Sequence, residues 1–384
     1  MTRLSPLSIA MPLLLAVVVP MNAQAPDPRP IIARPSIQTA KLEANSNIPN
    51  GILPAQYKAA YGFNRIPNQG QGQTIALVDA YDDPNISSDL AFYANYFHLT
   101  PCNFQKVKVG NPAQGEDWDL VESWDVEQAC AIAPQANIIL VEANTDSLAD
   151  LFQAVAVASA APYNATVVSM SWMTDEFAGE QQFDSYLCNI VDGNGQPVTF
   201  VAANNFVKYP AASPCVVAAG QTTVTLSTVL PLASPLQLNY GSESAWGYGG
   251  ISLYESQPSW QNPACSGFSA TNRCLPDVAA NAENVPVYDT YSYAGWVEVD
   301  APGLSPPAWS AFFTLVNSGR AGQRKNTLSQ AAADMYAIYY SSDYLTDFHD
   351  IVSGSGAGPG YDLATGIGSY QANALFSALV ADVN

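Results

Sequence analysis

The chain has 384 residues, 48% of them hydrophobic, enough to bury the core of one large domain or two ordinary ones. Thirteen basic residues stand against 33 acidic ones, a net charge of −20, which argues against nucleic acid or an anionic membrane as partner. Such a charge reads as a solubilising coat, and it loses much of its self-repulsion at low pH.

The chain opens with Arg3, an apolar run through Leu13–Val19, and then Ala23-Gln24-Ala25, the three regions of a secretory signal peptide over residues 1–25. That run is too short to span a bilayer, and no later stretch reaches about 18 uninterrupted apolar residues. A secreted protein, periplasmic or extracellular, is expected, with no membrane span, and monomeric. Six cysteines in an exported chain permit disulfides. Cys265 and Cys274 form the best local pair, while Cys102, Cys130, Cys188 and Cys215 stay unassigned. No C-x-x-C occurs, so neither a zinc site nor a redox motif is indicated.

Residues 26–48 are rich in Pro, Ala and Asn without sustained periodicity and read as an extended leader. Residues 49–384 read as one domain, beginning with a short helix over Ile52–Tyr61 that has proline in its first turn. Strand and helix patterns then alternate, the mark of a parallel α/β sheet. Strands are expected at Gln73–Ala80, Ala136–Ala143, Thr166–Trp172, Val198–Ala203 and Val216–Gly220, with helices at Asp89–Phe97 and Ser147–Ala161.

Several segments, in order and spacing, resemble the sedolisin family of serine-carboxyl peptidases: Ile75–Tyr81, Ala131–Pro134, Val168–Trp172, Tyr209–Pro214, Gly249–Ser252 and Pro276–Ala279. The resemblance spans essentially the whole domain. It implies a subtilisin-like three-layer α/β fold, a mainly parallel sheet of about seven strands flanked by helices. Family members carry a long folded propeptide; only about twenty residues separate signal and domain here, so no prodomain is expected.

The family's catalytic positions fall on unusual residues. Its nucleophilic serine precedes a helix, in a pattern close to V-G-G-T-S-L-A-A-P-A-W. Anchored on Val299, Leu304 and Pro307-Ala308-Trp309, that serine position is Gly303, which has no side chain to attack a carbonyl. The family's Glu base and Asp lie four residues apart on one helical face, where two carboxyls share a proton. Here Asp125 matches the Asp and Val121 the base. Glu122 is one residue off, turned by about 100°, and Glu122 and Glu127 read as solvated helix charge. The family's oxyanion Asp position falls near Phe206, beside Asn204 and Asn205, which read as a polar turn. Ser305, followed by Pro306 and Pro307, reads as a helix N-cap. His98 and His349 lack a triad context and read as structural.

Phe348–Gly354 and Gly358–Gly368 resemble the family's calcium site. The resemblance implies Ca²⁺ held by the carboxylates of Asp350 and Asp362 and the carbonyls of Ile351, Gly358 and Gly360. Gly249 and Gly250 resemble cleft-lining backbone open to strand addition, with Tyr248, Tyr254 and Trp260 nearby. The sequence thus points first to a catalytically inactive homologue that binds a peptide or protein ligand through the old cleft. The rivals are an acid-acting peptidase using Glu122, Asp125 and Ser305, and a structural secreted protein.

Overall fold

Alternation along the central strands sorts their side chains into two layers. In the strand Thr74–Ala80, Ile75 and Leu77 face a core shared with the helices Asp119–Ile132 and Ser305–Gly322. Ala76, Val78 and Ala80 face a second core shared with the helix Leu148–Ser159. The strand Asn137–Ala143 divides in the same way, Ile138 and Leu140 against Ile139, Val141 and Ala143. Both faces of the sheet are therefore apolar and covered, as a parallel sheet requires. The computed structural model describes residues 30–37, 48–115, 118–228, 238–268 and 270–381; the expected signal peptide lies outside them. Apart from Pro30, all described residues belong to one unit that starts at Ile31.

The sheet has eight strands rather than about seven. Its order is Leu238–Ala245, Val216–Thr228, Thr199–Ala203, Val167–Met170, Thr74–Ala80, Asn137–Ala143 and Asn103–Lys108, with Val278–Asn281 pairing onto Val216–Thr228. All pairings are parallel except the antiparallel edge of Leu238–Ala245. The strand expected at Val216–Gly220 continues to Thr228, because it borrows two further partners along its length. The strand expected at Thr166–Trp172 instead breaks at Ser171: Val167–Met170 stays in the large sheet, and Trp172–Asp175 pairs elsewhere.

Local signals account for the helix ends. The Ser147 hydroxyl accepts the Asp150 N–H (3.2 Å) and starts Leu148–Ser159. Gly62, in the left-handed region, stops Pro54–Tyr61. Cys265 pairs with Cys274 as expected, and the remaining cysteines pair as Cys102–Cys130 and Cys188–Cys215. Among the described residues no helix is long and apolar enough to cross a membrane.

Candidate functional site

The helix Asp119–Ile132 is buried along its entire length. It packs between the large sheet and the hairpin formed by Val285–Asp289 and Gly295–Val299. Glu122 and Glu127 are consequently not solvated: each is 1% exposed. Glu127 accepts the Tyr288 N–H (3.1 and 3.2 Å to its two oxygens), and Glu122 accepts the Asp83 N–H (3.2 Å). The covering hairpin comes from more than 150 residues downstream, as the Glu127–Tyr288 separation of 161 shows, so the helix's own sequence could not reveal the burial.

Asp125 sits one turn further on, fully buried, in a compact polar group with Ser171 and Gly303. The Ser171 Oγ lies 2.8 and 2.9 Å from the two Asp125 oxygens and 3.1 Å from the Gly303 carbonyl. Ser171 has one proton for these contacts. A protonated Asp125 donates to Ser171 Oγ, which in turn donates to the Gly303 carbonyl, and every group is satisfied. Ser171 was legible only as a strand residue; the break it causes places it here.

Around this group the surroundings are apolar. Val121, Trp124, Val299, Ala301 and Leu304 belong to one buried cluster. The Trp124 ring packs so closely on Gly303 that a Cβ there would lie 2.8 Å from Trp124 Cζ2. Ser305 is not a cap: it occupies the first turn of Ser305–Gly322, after a short 3₁₀ turn over Pro302–Leu304, and its buried hydroxyl makes no hydrogen bond. Asn204 and Asn205 are buried rather than in a wet turn. Asn204's backbone is tied to Ala219 and Gln221, while its side-chain amide makes no hydrogen bond. Phe206 is half exposed, at a positive φ of 60°, and stacks on Tyr248.

Beside Asp125 lies a nest of further carboxyls at the C-terminal ends of the central strands, where open parallel sheets place their sites. Asp79 is fully buried and its oxygens make no hydrogen bond; Glu142, also buried, pairs with Lys106 (3.2 Å). Burial pushes Asp79 up, and the neighbouring Glu142 adds to it. Burial likewise raises Asp125 well above the carboxylate range, with Asp79 contributing, and raises Glu122 similarly, with Glu142 and Asp79 contributing. Asp83 is pushed up to about 6, again chiefly by burial.

A segment of the leader crosses this site. Arg34–Pro35 forms an antiparallel strand with Trp172–Asp175, Arg34 opposite Met173 and Pro35 opposite Trp172. On its other edge, the Ala33 N–H donates to the Asp146 carbonyl (2.9 Å), and the Leu148 N–H donates to the Ile31 carbonyl (2.8 Å). The Ser36 N–H donates to the Ser171 carbonyl (3.0 Å), and the Gly303 N–H donates to the Ser36 carbonyl (3.2 Å). Sequence periodicity missed this segment because backbone bonds hold it; the small residues Ala33 and Ser36 were its only signal.

The other expected site residues lie elsewhere. Gly249 is hemmed in by the carbonyls of Leu275 and Leu363, 1.9 and 2.3 Å from where a Cβ would stand. Gly250 begins a strand, Gly250–Ser256, whose edge pairs with Asn272–Leu275. Tyr248 and Tyr254 are partly exposed, and the Trp260 ring packs on Tyr336 (4.8 Å). His98 is exposed, and His349 stacks on Tyr240 (3.7 Å). In the C-terminal loop, Asp350 accepts the Gly360 N–H (3.0 and 3.1 Å) and Asp362 accepts the Gly358, Ala364 and Thr365 N–H groups (2.8–2.9 Å). These bonds bring the two carboxylates and the Gly358–Gly360 backbone into one loop. Among the described residues no group of three or more His, Cys, Asp or Glu side chains forms a metal cluster.

The sequence profile of the Subtilase family matches residues 119–335. Kumamolisin of Bacillus sp. (strain MN-32) is 28% identical over 406 residues, covering 92% of this chain and 69% of that protein. Sedolisin of Pseudomonas sp. (strain 101) is 24% identical, covering 88% of this chain and 63% of that protein, so the chain spans less than two thirds of its length. A solved structure of Pseudomonas sedolisin (serine-carboxyl proteinase), complexed with two molecules of pseudo-iodotyrostatin, superposes with a TM-score of 0.70 at 20% identity, covering 88% of this chain and all of that one.

The carboxyl nest sets the sign of the pH dependence. Its groups titrate near 4 when unfolded and higher when folded, so the folded state binds more protons between these values. Their stabilisation is complete below about pH 4 and is lost as pH rises through 6, where Asp83 titrates, and beyond. The melting temperature, followed by circular dichroism, is expected to be roughly 5 °C or more lower at pH 8 than at pH 4.5. Molar salt should leave most of that difference, since it screens surface charge far better than buried charge.

Proposed function

Because this chain belongs to the sedolisin family of serine-carboxyl peptidases, within the subtilases, we propose that it is an exported, non-proteolytic member that holds extended peptide chain in the old cleft. The observation that carries this reading is the contact between Gly303 and Trp124. Serine-type hydrolysis needs an oxygen nucleophile and a base within hydrogen-bond reach of it. The nucleophile position offers no side chain, and the base position is Val121 in an apolar cluster. Asp125 has a hydroxyl partner, but Ser171 is engaged with Asp125 and the Gly303 carbonyl. Phe206 supplies no donor at the oxyanion position.

The displaced set Glu122, Asp125 and Ser305 finds no support in the hydrogen bonds. Glu122 is turned to the Asp83 N–H, Asp125 to Ser171, and the Ser305 hydroxyl to neither. Against a purely structural role stands the strand-addition channel beside Gly303, whose amide already donates to a peptide carbonyl. Export is supported by the three disulfides, which persist in oxidising compartments.

The C-terminal loop suits a hard cation in its donor chemistry. Asp350 and Asp362 have no lysine or arginine partner among the described ion pairs, and Asp362 is 7% exposed. Two such carboxylates with the Ile351, Gly358 and Gly360 carbonyls are the oxygen set that Ca²⁺ takes. Bound there, the ion would neutralise the pair and tie Asp350 to the Gly358–Asp362 turn, a purely structural service.

Two experiments test these readings. Hydrolysis of a denatured protein, assayed from about pH 3 to about 7, is expected to stay at background for the unaltered protein. It should stay there for Gly303→Ser and Val121→Glu/Gly303→Ser too, because Trp124 occupies the space a side chain needs; Gly303→Ser should cost about 1–3 kcal/mol of stability. Cleavage by the unaltered protein that Ser305→Ala abolishes overturns the reading. Separately, millimolar Ca²⁺ should raise the melting temperature by several degrees over chelator, on the order of 2–3 kcal/mol at about 100 times Kd. Asp362→Asn should remove that rise; an unaltered protein indifferent to Ca²⁺ rules the site out.

A further inference from the structure

The short helix Pro54–Tyr61 ends at Gly62, whose φ of 84° lies in the left-handed region that glycine favours. The bare backbone there forms one side of a cavity of about 350 Å³. Small-molecule sites run from about 300 to about 1,000 Å³, so this one suits a compact ligand. A Cβ on Gly62 would lie 3.8 Å from the Asn373 Cβ and 3.9 Å from the Arg65 Cζ. A guanidinium and an amide side chain, the latter from the helix Ala372–Ala381, thus converge on one glycine. Asn239, near the start of the strand Leu238–Ala245, brings a second amide to the lining. Tyr240 and His349 supply an aromatic wall, their rings stacked 3.7 Å apart and 4° from parallel.

The fold makes no use of these polar groups. The side chains of Arg65, Asn239 and Asn373 form no hydrogen bond or ion pair among the described residues. By contrast, Lys106, Lys108, Lys208 and Arg273 are all engaged with carboxylates. The Tyr61 hydroxyl, also beside the cavity, is turned inward and donates to the buried Glu243 (2.7 Å). No residue lining the cavity is acidic, in a chain that carries 33 acidic residues. An unengaged guanidinium in such a place is complemented by an oxyanion, which its planar fork takes through two parallel N–H groups. Each free amide both donates and accepts, as the hydroxyls of a ligand require. The stacked rings offer apolar surface for the face of a ring-shaped body.

We propose that this cavity binds one ring-sized acidic molecule, a polyhydroxylated ring bearing a single carboxylate or phosphate. Arg65 takes the oxyanion, Asn239 and Asn373 take hydroxyls, and the Tyr240–His349 wall takes one face of the ring. None of the residues at the nucleophile, base or oxyanion positions lines it, so the site stands apart from the peptide cleft and does not depend on it.

Isothermal titration calorimetry on the full chain, with glucuronate, glucose 6-phosphate and glucose as probes, tests the assignment. At least one acidic probe should bind with a stoichiometry of one, about tenfold or more tighter than glucose, which has the ring without the charge. Which acidic probe binds tells whether the oxyanion is a carboxylate or a phosphate. Arg65→Ala should weaken that probe about tenfold or more, and Arg65→Lys should recover only part of the loss, since an ammonium lacks the planar fork. Asn373→Ala should weaken it severalfold and gives a second reading that leaves the charge in place. Arg324→Ala, which removes an exposed arginine outside the cavity, should leave the affinity unchanged. Arg65 is exposed and unpaired, so the Arg65 variants should melt with the unaltered protein. Binding of neither acidic probe up to about 10 mM, equal affinity for glucose, or equal losses in Arg65→Ala and Arg324→Ala each overturns the proposal. None of these outcomes bears on proteolysis, which the hydrolysis assay judges on its own.

Discussion

The Trp124 ring and the Gly303 backbone approach within the reach of a single methyl group, 2.8 Å from indole carbon to a would-be Cβ, and the neighbouring structure is arranged around that contact. The tryptophan belongs to a helix with no wet face; the glycine opens the turn into Ser305–Gly322, which packs against the same sheet. Neither can withdraw without opening the core. Ser171 bridges the two elements by holding Asp125 on one and the Gly303 carbonyl on the other. At this point in the fold lie a packing contact and a hydrogen-bonded brace.

The carboxyl nest follows from the same burial. Asp79, Glu122, Asp125 and Glu142 lie where parallel strands end, and solvent is excluded by the hairpin and by the helix itself. Perturbed acids often mark a working site. Here Glu122 and Asp125 have hydrogen-bond partners in the scaffold, the Asp79 oxygens have none among the described residues, and Lys106 forms ion pairs with Glu142 and Asp82 at the rim. The energy of desolvating these acids is an expense the fold bears most easily in acid, which accords with the acidic, sparsely basic composition.

The sequence was informative wherever physics acts locally or a segment follows a familiar pattern. The strand patterns located Thr74–Ala80 and Asn137–Ala143 to within a residue. It was silent wherever the decisive partner is distant. Glu127 looked solvated because Tyr288, which covers it, lies 161 residues away. Ser171 looked like one more strand residue because only the three-dimensional break turns it toward Asp125. The leader looked featureless because a chain held by its peptide groups needs no hydrophobic period.

That leader is joined to the body of the fold through residues 38–47, a short covalent connection. A ligand tied so closely presents itself at an effective concentration on the order of millimolar, whatever the protein's own dilution. If the cleft holds peptide as proposed, a free peptide of equal intrinsic affinity would have to approach that level to occupy half of the channels, and scarce or weak ligands would be excluded. Severing the connection ends the advantage at once, since the released segment is diluted into bulk. The groove would then answer less to how much peptide surrounds it than to whether its own chain has been cut.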